Sequence, residues 1–120
     1  MTLRNSVVSD AFFERVVTGE TSVVVTLMAI ADAVFVLTSR NLYAISRFDA
    51  SEMLISLITH PGFIVEHKSR VIAALTIFRT YSLDFGDAYT AATALEDEDP
   101  RVVSYDRDFD RIPGISRVSP

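Results

Sequence analysis

In the segment VVSYDRDFDRIPG, residues 102–114, three aspartates stand at alternate positions, Asp106, Asp108 and Asp110, directly after a short apolar run. Upstream, Asp84 and Asp87 stand three apart at what reads as a helix start, and Asp32 interrupts an otherwise apolar helical pattern. Solvent exposure alone does not explain acids in these places. Carboxylates brought together repel one another, and a hard divalent cation such as Mg²⁺ or Mn²⁺ relieves that repulsion. Such an ion orients a water, helps it ionise and stabilises the extra charge on a phosphorus under in-line attack. The chemistry implied is phosphodiester hydrolysis.

Each acid also has a plainer use. Asp84 and Asp87 suit the capping of a helix and its positive end. Asp32 could reach solvent near a helix start, and residues 106–110 could form a solvated turn. A calcium loop beginning at Asp106 is excluded, because Arg111 stands where glycine is required and Arg117 where the bidentate glutamate belongs. A phosphotransferase with Asp106 as nucleophile would fit a DxD after a strand, but such sites usually lie near the start of a domain. The four glycines are not clustered, so there is no phosphate loop. His60 and His67 flank a turn and a short strand without a carboxylate pattern, which suits surface or capping positions. Ser104 is placed to hydrogen-bond a metal ligand or water, or simply to end a strand.

The elements that must position these residues follow from periodicity. Residues 6–17 carry Val8, Ala11, Phe12 and Val16 on one helical face, and β-branched residues 21–26 read as a buried strand. A helix is expected over 28–40 with Asp32 inside it. A second begins at the capping pair Ser46 and Asp49 and stops at His60-Pro61-Gly62. A short strand over 63–65, a helix over 68–81, a helix opening at Asp84 and Asp87, and a strand over 101–104 complete the series. Ala88, Ala91 and Ala92 predict close packing of the late helix, and Pro100 blocks its continuation. Alternating helices and strands predict the α/β class with a mainly parallel sheet. In such sheets the loops at the carboxyl ends of the strands form the ligand crevice, where Asp32, Asp87 and Asp106 could converge.

The 120 residues, 49% hydrophobic and 22% charged, suffice for one globular domain with a real core. Absence of cysteine removes disulfides, thiolate metal sites and thiol nucleophiles. The central charge-free stretch, residues 21–31, falls well short of the roughly 20 residues of a membrane span. The N-terminus has no signal-peptide pattern, so a cytoplasmic protein without membrane contact is expected. A net charge of -5 disfavours broad non-specific attraction to nucleic acid. It leaves a nucleic-acid enzyme open, since bound metal ions would offset clustered carboxylates.

Three segments, in order, resemble the PIN-domain family, in particular the VapC-type toxin ribonucleases of toxin-antitoxin pairs. They are VVVTLMAIADAVFVL, LDFGDAYTAATAL and VVSYDRDFDRIPGI, and the resemblance covers nearly the whole chain. It implies a three-layer fold with a mainly parallel sheet flanked by helices and a Mg²⁺- or Mn²⁺-dependent endoribonuclease. By the same resemblance Asp32 takes the place of a helix glutamate, Asp87 of an aspartate opening a late helix, and Asp106 of the final aspartate. These three are the expected catalytic metal ligands, with Asp84 and Asp108 as auxiliary acids. The implied partners are an RNA substrate, a cognate antitoxin protein and a second copy of the chain in a homodimer.

The resemblance also implies an earlier strand ending in Asp-Thr-Asn or a close variant, then a helix, and neither is found in the sequence. Asp10 is no substitute, because it lies in a helical pattern too close to Asp32 for that strand and helix to fit between them. Residues 1–120 are therefore expected to be a single PIN-like domain, N-terminally truncated, lacking the first catalytic aspartate and a central strand. Apolar faces beside the missing strand would then be uncovered, leaving a poorly stable or self-associating chain. A protein that binds an antitoxin or other protein partner without catalysis is the alternative function.

Overall fold

A computed structural model describes residue 11 and residues 14–120, along which short strands are separated by pairs of helices and, last, by a 3₁₀ helix. The helix expected over 6–17, and Asp10 with it, lies largely outside the described residues; residues 11 and 14–17 are helical. β1 comprises Val23–Val24 alone, shorter than expected, and Val24 is 70% exposed rather than buried. Thr26 then starts helix α1, Leu27–Thr38, its hydroxyl accepting the Ala29 N–H at 3.1 Å. Ile30 and Val34, four apart, face the core.

Helix α2, Arg47–Ile58, starts as its sequence dictates: the Ser46 side chain accepts the Asp49 N–H at 3.0 Å. After it, His60 Nδ1 accepts the Gly62 N–H, closing the turn into β2, Phe63–Ile64. A Cβ at Gly62 would lie 2.6 Å from the Val16 carbonyl oxygen, so only glycine fits there. Helix α3, Lys68–Thr80, follows His67, which adopts a left-handed conformation without capping by its side chain. Helix α4, Phe85–Ala94, starts at Asp84. Fully buried Ala88 and Ala91 let it pack closely along α3, as the small residues predict.

β3, Arg101–Val103, follows Pro100 and leads into a 3₁₀ helix, Arg107–Arg111. β4, Ser116–Val118, is a strand that the sequence reading lacks. Both pairings are parallel, β1 with β2 and β3 with β4. They form two separate two-stranded sheets, however, and no strand joins them among the described residues. One core binds the parts together, with Ile30, Ile58, Leu75, Phe78, Val102 and Phe109 among its buried side chains. The result is an α/β fold of short parallel strands and predominant helices. No helix among the described residues is long and apolar enough to cross a membrane.

Candidate metal centre

The late helix and the turn after β3 bring four acids into one electrostatic neighbourhood. Asp84 is the N-cap of α4, and its Oδ1 accepts the Asp87 N–H at 2.8 Å. That bond satisfies one of the amides a helix start leaves without a partner, and it fixes Asp87 in the first turn. Asp87 is half-buried, and its carboxyl is held above the usual aspartate range. Burial is the main cause, followed by the negative charges of Asp84, Asp106 and Asp108.

Asp106 sits at the carboxyl end of β3 as the N-cap of the 3₁₀ helix, its Oδ1 accepting the Asp108 N–H at 2.9 Å. Its own N–H donates to Ser104 Oγ at 3.0 Å, so the strand-end hydroxyl shapes the backbone that presents Asp106. Phe109, 2% exposed, pins this turn to the core. Asp110 is tied elsewhere: Arg117 of β4 grips it through Nε at 3.0 Å and Nη2 at 3.3 Å, while Arg117 Nη1 donates to the Ser104 carbonyl. The arginine thus couples β4 to both ends of the turn.

Asp32 is exposed on α1 and is not among the charges that raise the Asp87 carboxyl. One helical turn further on, Phe35 lines a cavity of about 290 Å³ together with Asp84 and Phe85. Asp32 therefore stands one turn from a wall that Asp84 shares.

The donor chemistry suits a hard cation, because the acids around Asp87 offer oxygen donors, and burial first and their negative charge second raise its carboxyl. Among the described residues, however, no three acids or histidines converge closely enough to enclose a metal ion. Mg²⁺ needs no such cage, since it commonly keeps several waters and takes only one or two carboxylates from a protein. In that open mode Asp87 and Asp106 could each offer a carboxylate oxygen to an ion, with Asp84 and Asp108 adding negative charge beside them.

Fold and site together describe a small α/β domain with a group of acids near the carboxyl end of a parallel strand. The chain belongs to the PIN domain family, whose family model matches residues 4–115. Members of that family are generally nucleases, often parts of toxin-antitoxin systems and typically dependent on a divalent metal. No curated protein and no solved structure matches the chain.

The contacts of Arg117 and Arg47 with this region are not foreseen from the sequence, where Arg117 serves only to exclude a calcium loop. Neither stands in a motif. Arg117 is legible only once β4 is known. Arg47 follows a capping serine at a helix start, where a cation looks like ordinary surface charge.

Proposed function

We propose that the chain is a metal-dependent endoribonuclease of VapC type, the toxin of a toxin-antitoxin pair, acting in the cytoplasm. The single observation that carries this reading is the PIN family match over residues 4–115, within which Asp84 and Asp87 open a helix and Asp106 and Asp108 follow a parallel strand. When bound, Mg²⁺ or Mn²⁺ supplies a lowered pKa for water and charge compensation at the phosphate. The chain's own contribution is to hold Asp87 and Asp106 as the principal ligands, with Asp84 and Asp108 keeping the local field negative. Asp32 is the third ligand, in the place of the family's helix glutamate. A homodimer and an antitoxin bound to exposed apolar surface complete the proposal. Exposed Phe35, Leu42, Tyr43 and Phe48 supply such surface.

A second reading, a PIN protein that binds a partner without catalysis, is favoured because no three acids or histidines among the described residues form a group that could hold a metal ion. Val24 on β1 and Val103 on β3 are exposed and add apolar surface that a partner could cover. Incubation with single-stranded RNA in Mg²⁺ or Mn²⁺, against the same reaction in EDTA, separates the readings. Cleavage that EDTA abolishes is expected of the nuclease. An intact substrate together with tight binding of a protein partner would assign the chain to the second reading.

A further inference from the structure

We propose that Arg47 is a positioning residue for Asp84 and Asp87, acting through the turn that joins α3 to α4. Its guanidinium, carried on the first residue of α2, donates from Nε and Nη2 to the Phe78 carbonyl at 3.0 and 2.7 Å. Nη2 also donates to the carbonyls of Tyr81, at 3.0 Å, and of Leu83. The same group lies over the Phe78 ring, 3.7 Å from its centroid. All three carbonyls belong to the end of α3 or to the few residues that lead from it to Asp84.

A helix end leaves carbonyls unpaired, and a cation there meets both their hydrogen-bonding need and the negative end of the helix. Arg47 does this from a different helix, so it fixes the exit of α3 and the entry of α4 to one point. The next residue after Leu83 is Asp84, whose carboxylate caps the Asp87 amide. Arg47 and Asp84 also line the same cavity of about 290 Å³. The chain of contacts runs from guanidinium to Leu83 carbonyl, to Asp84, to Asp87. The planar fork serves several acceptors at once while its face stacks on an aromatic ring, which a lysine ammonium cannot do.

The functional side of this proposal rests on the metal-centre reading, whereas the contact to the turn does not. The test uses the full ¹⁵N-labelled chain and its Arg47→Lys and Arg47→Gln variants, with amide hydrogen exchange read residue by residue. In both variants the amides of Asp87 and Ala88 are expected to exchange roughly tenfold faster, while those of Leu75 and Val102 keep their wild-type protection. Wild-type rates at Asp87 and Ala88 would overturn the proposal. Loss of protection throughout the core in both variants would overturn it too, because that is the signature of a general stabilising role. Mn²⁺ titration of the same samples adds a readout that stability alone does not move. Paramagnetic broadening at Asp87 is expected to need about tenfold more Mn²⁺ in Arg47→Lys, the usual scale for a residue that orients metal ligands. Absence of broadening in wild type would remove the metal reading while the exchange rates still decide the role of Arg47.

Discussion

The Asp84 carboxylate accepts the Asp87 amide hydrogen at 2.8 Å while its charge opposes the Asp87 carboxylate. One side chain therefore stabilises the helix start and raises the electrostatic cost of the group it holds. The two effects separate by substitution. Asp84→Asn keeps an acceptor for the amide and removes the charge, so little loss of stability is expected. Asp84→Ala removes both, with an expected loss of about 1 kcal/mol, the usual cost of deleting a cap. Urea unfolding of the two variants checks the difference.

A raised carboxyl has a defined signature against pH. The folded chain binds the Asp87 proton more tightly than the unfolded chain does. The associated stabilisation is complete below the unfolded pKa and is lost as pH rises through the folded value. Without metal, Asp87→Asn is therefore expected to raise Tm at pH 7 by a few degrees, and the gain should shrink as pH falls toward 4. Calorimetry at several pH values provides the measurement. Mg²⁺ should raise the wild-type Tm and leave that of Asp87→Asn unchanged.

The turn carrying Asp106 and Asp108 depends on Phe109, which is 2% exposed between them and Asp110. Phe109→Ala is expected to lose about 3–5 kcal/mol, the range for emptying a buried aromatic site. Phe109→Leu should lose clearly less because it refills most of the volume. Denaturant midpoints would show whether the turn is anchored through the core in this way.

Arg117 makes more than an ion pair. Besides Asp110 it donates to the Ser104 carbonyl at 3.1 Å, and its side chain is only 15% exposed. Asp110→Ala removes one partner at the surface and is expected to cost under about 1 kcal/mol. Arg117→Ala also leaves a partly buried carbonyl without its donor, so roughly 1–2 kcal/mol is expected. A double-mutant cycle compares the two directly.

What could be read in the sequence was local. Ser46 with Asp49, and Asp84 with Asp87, announce helix starts because capping is chemistry between neighbours in the chain. Ala88 and Ala91 announce close helix packing because their size sets the approach of α4 to α3. The parallel pairing follows from the alternation of helices and strands. What escaped was non-local. Short β4 has no alternation long enough to mark it, and its ion pair with Asp110 joins two segments that no motif links. Val24 reads as buried because β-branched residues suit strands, whereas its exposure is decided by what lies beside β1. The acids were legible as a set, but only the fold brings the charges of Asp84, Asp106 and Asp108 to bear on Asp87.

Cleavage of a single-stranded RNA in Mn²⁺, with wild type compared against an Asp87→Asn, Asp106→Asn double variant, tests the proposed metal centre most directly. Under this reading wild type cleaves and the folded double variant is at least about 100-fold slower, since the principal metal ligands and the ion's contribution are lost together. Cleavage by the folded double variant at the wild-type rate would contradict it.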